Sequence, residues 1–382
     1  MHHDRFGADV RPGGRVKLLW LQVVRGLAAN LVVLQHLWEF EQRYGGTRLP
    51  IFVRYADLGV DVFFVLSGFV MAAIAGRDVG PLQFLWRRAT RIYPTYWLAT
   101  LLMLGAFFAV PGLVHEPIDK LSWWRSFLLV PAVPNQPIVS VGWTLVHEVY
   151  FYLVFAILLA LRIPIVTGVI GWSATVIVAS LLIPAELLDA SPILAVATSP
   201  LTFEFMMGLI VGVLCLKWRP PNGRTLGVIG GAALALSIVL HFHFFAHDDA
   251  IFADWQMRRV AMFGPPIALI LYAVISYERE TRRPAPALLV ALGDWSYSTY
   301  LFHFMVLSAL GRAVQAVFLP AHVVWATTAL LVFGFVVVNL AGAAMFLLFE
   351  RPTLRSLNRL RPPTFAQPAA GSQPVVTDAA KT

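Results

Sequence analysis

The feature that most limits how this chain can fold is a series of apolar blocks, each about 20 residues long. A helix needs about 20 apolar residues to cross a bilayer core, whereas the core of a soluble protein shows shorter apolar stripes between polar faces. We therefore expect an all-α integral membrane protein, a bundle of about ten transmembrane helices. The predicted spans are residues 18–37, 58–76, 93–112, 143–161, 164–183, 194–216, 226–245, 260–277, 294–317 and 323–349.

Composition supports this fold class and excludes several kinds of site. Hydrophobic residues make up 58% of the 382 residues and charged residues 13%, about half the charged share of a typical soluble domain. Cys215 is the only cysteine, which excludes an internal disulfide and a metal site built from several thiolates. His147 and Glu148 lack the second histidine of the helical zinc motif, so we expect no metal.

The formal net charge of +8 follows the expected membrane topology. Ten spans put both termini on one side, and cytoplasmic termini place 20 of the Lys and Arg residues in inner segments against 8 in outer ones. We therefore expect cytoplasmic termini, contact with membrane lipid and no nucleic acid partner. Residues 1–17 would form a cytoplasmic segment, 18–350 the transmembrane domain, and 351–382 a tail that is basic and then disordered.

The first apolar block contains two side chains that are costly inside a bilayer, Arg25 and His36. They are eleven residues apart, so they share one helix face with an axial separation of about 16 Å. Glu39 lies on the same side if the helix continues that far. Because a histidine beside a carboxylate is the usual arrangement of a general base, we expect this role for His36 and an orienting role for Glu39. The alternative is an interfacial histidine that contacts lipid headgroups.

A basic cluster precedes the third predicted span, in the stretch FLWRRATRIYPTYW. Arg88 and Arg91 are three residues apart, so both guanidinium groups can point the same way from a cytoplasmic helix end. Arginine forks suit phosphate oxygens, which makes this pair a candidate phosphate site. An ordinary positively charged anchor at the inner membrane surface explains the same residues equally well.

Further candidates for the site lie in later spans. Glu148 is an acid in the fourth span and should face a cavity or an ion-pair partner. Trp143 and Tyr150 can stack on a sugar ring, although interfacial aromatic residues are common in membrane proteins. Four weaker candidates for substrate binding, each with close helix packing as the alternative, are Asp61, Ser67, Tyr297 and His303.

The order of these motifs resembles a known family. Arg25, ten intervening residues and His36 are similar to the defining motif of the acyltransferase 3 family of bacterial membrane proteins. Further blocks match that family in the expected order: GVDVFFVLSGFV, RRATRIYPTYW, VGWTLVHEVYFYL and LGDWSYSTYLFH. Gln22, where many relatives have Asp, and the stretch GWTLVHEVYFY resemble the branch that acetylates exopolysaccharides.

The resemblance implies a core of about ten spans in the bacterial inner (plasma) membrane, and O-acylation, usually O-acetylation, of surface or secreted glycans. It implies acetyl-CoA as the cytoplasmic donor and a polysaccharide or lipid-linked sugar as the acceptor. His36 would act as the catalytic histidine, while Arg25, Arg88 and Arg91 would handle the donor. Apart from the resemblance, our own hypothesis for the mechanism is that Glu148 binds the sugar or supports the site.

Two mechanisms and two other functions stay open at this point. His36 either deprotonates the sugar hydroxyl for direct attack or is itself transiently acylated. A transporter that exports a glycan or a lipid-linked sugar would also need ten spans and buried charges, but it predicts internal repeats with broken helices, which we do not find. A structural subunit of a polysaccharide assembly complex would leave Arg25 and His36 unexplained.

Overall fold

The computed structural model describes residues 18–44, 49–75, 79–109, 122–132, 137–217, 222–245, 252–281, 283–317 and 324–360. Within these ranges all regular structure is helical. The predicted N-terminal segment, and the predicted tail beyond residue 360, lie outside them. In chain order the α-helices are α1 (Leu19–Tyr44), α2 (Gly59–Ala75), α3 (Pro81–Ala109), α4 (Trp123–Leu128), α5 (Trp143–Ala160), α6 (Ile165–Leu182), α7 (Ala185–Ala190), α8 (Pro192–Ala197), α9 (Leu201–Lys217), α10 (Gly223–Phe245), α11 (Phe252–Thr281), α12 (Ala287–Asp294), α13 (Ser296–Val317), α14 (Val324–Met345) and α15 (Arg351–Arg359).

The fold class predicted from the sequence is confirmed. In the part of the chain that the structure describes, eight helical stretches are long and apolar enough to cross a membrane, and they include all or most of α2, α3, α5, α6, α9, α10, α11 and α14. The other two predicted spans correspond to α1 and α13, whose polar residues include Arg25, His36 and His303. The count of ten spans and the side of the termini stay predictions.

Several helix boundaries differ from the predicted ones, and two of these differences concern helices that line the cavity described below. The third span was expected to start at residue 93, but α3 begins at Pro81 and continues through Pro94. Proline is tolerated inside a membrane helix where neighbouring groups satisfy the freed backbone carbonyl. The first nine residues of the predicted basic tail form α15, which follows a π-helical turn at Phe346–Glu350.

Glycine allows several central helices to touch through their backbones. A Cβ atom on Gly68 of α2 would lie 1.9 Å from the carbonyl oxygen of Phe205 in α9, and a Cβ on Gly208 of α9 would lie 1.9 Å from that of Val65. Gly293 of α12 makes the same kind of close approach to the backbone of α1. Small residues at such contacts are how membrane helices gain van der Waals packing without a hydrophobic driving force.

The side of the bundle formed by α3, α5 and α6 packs through large aromatic side chains instead. Phe151 of α5 lies against Phe205 of α9, with 4.4 Å between ring centroids, and Trp172 of α6 completes this group. Phe84 of α3 packs edge-on against Tyr152 of α5, with 5.9 Å between centroids. These contacts set the positions of α3 and α5, which carry several of the predicted site residues.

Asp61 belongs to a buried ion cluster that joins α2 to α11. The Arg259 guanidinium donates to both carboxylate oxygens of Asp61, with 2.8 Å from Nε to Oδ1, and it also forms an ion pair with Asp57. Asp61 is fully buried and Arg259 is nearly so. A carboxylate held in this way has a structural partner already, so the geometry does not favour the predicted substrate-binding role of Asp61.

Candidate active site

A cavity of about 540 Å³ lies between α1, α2, α3, α5, α12, α13 and α15. Four of its six charged lining residues are arginines, so the cavity favours an anionic ligand. These six residues are Arg25, Arg87, Arg88, Arg91, Glu148 and Asp294.

Half of the predicted site residues line this cavity. They come from five different helices, so the fold brings together motifs that are far apart in the sequence. These residues are Arg25, Ser67, Arg88, Arg91, Glu148 and Tyr297.

Arg91 is held in place by an acid that directly follows the last predicted span. Its guanidinium forms an ion pair with Glu350, which is fully buried, and lies 5.1 Å from the ring centroid of Tyr297. Glu350 also accepts a hydrogen bond of 2.5 Å from the Ser298 hydroxyl. An acid at the end of an apolar span is the pattern that identifies Glu350 as a buried partner.

Arg88 and Arg25 differ from Arg91 in having no carboxylate within ion-pair distance among the described residues. The Arg88 guanidinium lies over the aromatic rings of Phe84 and Tyr152, 5.7 and 5.5 Å from their centroids. Arg25 donates a hydrogen bond of 3.0 Å to the side-chain oxygen of Gln22. Both cations therefore face the cavity without a neutralising partner, which is the state that an anion-binding site requires.

Glu148 is oriented toward the cavity by two hydroxyl groups. Its Oε1 accepts a hydrogen bond of 2.9 Å from Ser67 of α2 and another from the phenol of Tyr152, one helical turn further along α5. Neither donor carries charge, so the carboxylate is fixed in position without being neutralised. Ser67 thus has a hydrogen-bonding role beside the helix packing considered for it.

His36 lies outside the cavity lining and contacts His303 of α13. The Nε2 atom of His303 is 3.2 Å from Nδ1 of His36, and the ring centroids are 4.7 Å apart. His36 Nδ1 is also 2.9 Å from the Val32 carbonyl oxygen, and His303 Nδ1 is 2.6 Å from that of Tyr300. Because Tyr300 also lines the cavity, it connects the cavity to the histidine pair.

The remaining predicted site residues have other surroundings. Glu39 is exposed, and its Oε1 accepts a hydrogen bond of 2.6 Å from Gln35, so the geometry does not support an orienting role for it. Trp143 lies outside the cavity lining. So does Tyr150, whose phenol donates to the Ala197 carbonyl oxygen at 3.2 Å.

Comparison with known proteins identifies the family of this chain. Residues 18–347 match the acyltransferase domain of the acyltransferase 3 family. The chain is 34% identical over 312 residues to the exopolysaccharide production protein ExoZ of Rhizobium meliloti (strain 1021), across 78% of this chain and 89% of that protein. It is 28% identical over 400 residues to the acyltransferase MdmB of Streptomyces mycarofaciens, across 95% of this chain and 99% of that protein. No solved structure matches the chain.

The family match contains every helix from α1 to α14, and hence the histidine pair and most of the cavity lining. The eight apolar helices place this domain in a membrane. The chain belongs to the acyltransferase 3 family, and it is a membrane-embedded acyltransferase.

Proposed function

We propose that this protein transfers an acetyl group from cytoplasmic acetyl-CoA to a hydroxyl of a surface or secreted polysaccharide, or of its lipid-linked precursor, in the inner membrane of a bacterium. The observation that carries the proposal is the arginine-lined cavity, because coenzyme A is a phosphate-rich anion and arginine forks suit phosphate oxygens. The relative ExoZ supports a polysaccharide acceptor, since its name assigns it to exopolysaccharide production.

The donor enters this cavity at the end bounded by α15 and the first turns of α3. With cytoplasmic termini, that end faces the cytoplasm, the compartment that contains acetyl-CoA. Arg88 contacts the donor phosphates, while Arg91 maintains the shape of this end through its ion pair with Glu350. Arg25 lies further along the cavity and guides the pantetheine arm toward the histidine pair.

His36 performs the chemistry at the far end of this path. It is about 16 Å from Arg25 along α1, a distance that an extended pantetheine arm can bridge. The Nε2 atom of His36 takes the proton of the sugar hydroxyl, the oxygen attacks the thioester carbonyl, and the C–S bond breaks. The departing thiolate takes the proton from Nε2, which gives free coenzyme A and the sugar ester. In the covalent alternative the acetyl group rests on His36 before transfer.

The test uses inside-out membrane vesicles given acetyl-CoA labelled in the acetyl group. We expect label in the host's glycan fraction with the wild-type protein, and a rate lower by about 10²- to 10⁴-fold with His36→Ala. His147→Ala is the matched control, because His147 is a histidine of α5 whose ring bonds the Trp143 carbonyl oxygen and is not part of the histidine pair. Equal labelling by wild type and His36→Ala would remove His36 from the mechanism. An absence of labelling by wild type would count against acetyl-CoA as the donor.

An acyl-histidine intermediate is tested separately, by incubation with the labelled donor and without an acceptor. Label that survives on the protein in the wild type and disappears in His36→Ala supports the covalent route. Single-turnover transfer without any labelled protein supports direct attack.

A further inference from the structure

We propose that His303 is the positioning residue of His36: it accepts the Nδ1 hydrogen of His36 and shares the positive charge that His36 acquires during transfer. This inference rests on the proposed function, in which His36 is the base. It assigns to His303, on α13, the role that the sequence analysis gave to Glu39.

The tautomer of each ring follows from the carbonyl oxygen beside it. A carbonyl oxygen can only accept a hydrogen bond, so a ring nitrogen beside one must carry a hydrogen. His36 Nδ1 lies 2.9 Å from the Val32 carbonyl oxygen, and His303 Nδ1 lies 2.6 Å from that of Tyr300. When both imidazole rings are neutral, each is therefore protonated on Nδ1, and each Nε2 atom carries a lone pair.

The direction of the hydrogen bond between the two rings follows from these tautomers. His303 Nε2, as an acceptor, lies 3.2 Å from His36 Nδ1, which is a donor. The hydrogen of His36 is thus shared between the Val32 carbonyl oxygen and His303, in a three-centre hydrogen bond. His36 Nε2 keeps its lone pair, and it is the atom that the proposed reaction uses.

A histidine suits position 303 better than a carboxylate would. His303 is 1% exposed, in a helix of the membrane domain, where an ionised acid is costly whenever the base is neutral. A neutral imidazole avoids that cost at rest. Once His36 Nε2 takes the hydroxyl proton, the bond from Nδ1 to His303 becomes charge-assisted and strengthens. When the thiolate removes that proton, both rings return to their neutral tautomers, so no proton is gained or lost.

The test compares two substitutions of His303 in the vesicle assay. His303→Leu removes the acceptor, and we expect kcat to fall by about 10- to 100-fold while KM for acetyl-CoA stays within about twofold, a smaller loss than that of the base itself. His303→Gln places an amide oxygen where Nε2 stood, so it can still accept the hydrogen and should restore most of kcat. His147→Leu and His147→Gln are matched controls, because His147 Nδ1 also bonds a carbonyl four residues earlier, that of Trp143, at 3.1 Å.

A spectroscopic readout separates this proposal from the proposed function. In ¹⁵N-histidine-labelled protein in lipid, NMR should detect one hydrogen shared by His36 Nδ1 and His303 Nε2, with no hydrogen bound to Nε2 of either ring. The signal should disappear in His303→Leu and in His36→Ala. A hydrogen on His303 Nε2, or a His303→Leu protein that transfers acetyl groups at the wild-type rate, would overturn the proposal. If wild type transfers no acetyl group, the proposed function fails, and the shared hydrogen alone then decides whether His303 positions His36.

Discussion

At the scale of single residues, the arginines of the cavity separate into two kinds. Arg91 is paired with Glu350, whereas Arg88 lies over the rings of Phe84 and Tyr152 and has no carboxylate partner in the described part of the chain. An arginine bound to a buried acid supports the fold, since its removal leaves an uncompensated charge. An arginine without such a partner can give all of its donors to a ligand. The two members of the Arg88-x-x-Arg91 motif therefore have different roles, although the sequence presents them alike.

We expect Arg91→Ala to lower the free energy of unfolding by about 3 kcal/mol, the lower end of the range for a broken buried pair, because 27% of the Arg91 side chain is exposed. A second change, Glu350→Gln, should recover much of that stability by removing the buried charge. Arg88→Ala should instead leave stability near wild type and raise KM for acetyl-CoA. Thermal unfolding in detergent measures the stability of each variant, and titration with acetyl-CoA measures its KM. Equal stability losses in both single variants would contradict this division.

At the scale of helices, the backbone contact between α2 and α9 depends on the absence of a side chain. Gly68 and Gly208 each face a carbonyl oxygen at a distance that no Cβ atom can occupy. The contact has no room to relax by side-chain rotation, since the obstructing atoms belong to the other helix's backbone. Gly68 and Gly208 therefore set the distance between α9 and α2, which lines the cavity.

We expect Gly68→Ala to separate α2 from α9 and to reduce both the yield and the thermal stability of the protein. Gly231→Ala is the matched control, because Gly231 lies inside α10 and a Cβ there would have no atom within 4 Å. At that position alanine should be neutral or should add about 0.4–1 kcal/mol, through the lower entropy of the unfolded chain. Thermal unfolding of both variants in the same detergent is the measurement. A stable Gly68→Ala protein would show that the helices can move apart without cost.

At the scale of the whole molecule, the number of spans depends on α1 and α13, the two helices that carry the histidine pair. Ten spans put the loop that contains Trp124 outside and α15 inside, because seven spans then separate them. If α1 and α13 did not cross the membrane, six spans would separate these positions and both would face one side. Trp124 and Arg355 are both exposed, so each is a suitable reporter.

We expect Trp124→Cys to react with a membrane-impermeant maleimide in intact cells, and Arg355→Cys to react only in inside-out vesicles. Both substitutions are made in a protein that also carries Cys215→Ser, which removes the sole native cysteine. Labelling of both positions from one side would exclude α13 as a membrane span, and a reversed pattern would exclude cytoplasmic termini.

Sequence and structure agree best for features that depend on neighbouring residues in the chain. Apolar blocks predicted the membrane helices, and costly polar residues such as Arg25 and Glu148 predicted the cavity lining. Partners on other helices were not predictable: Glu350 is 259 residues from Arg91, and His303 is 267 residues from His36. Periodicity indicates which face of a helix is polar, but not which helix lies opposite it. For that reason Glu39, the nearest acid in the sequence, was selected in place of His303.

The glycine contacts have a mechanical consequence for the cavity. A contact between two backbones has no rotamers to change, so the wall formed by α1, α2 and α12 is stiff. The lining on α3 and α5 is built instead from aromatic rings and long arginine side chains, and the arginine side chains can turn without moving a helix axis. The cavity can therefore widen on the side of α3 and α5 to admit a bulky donor. The stiff wall keeps α1, and His36 with it, at a constant depth in the membrane.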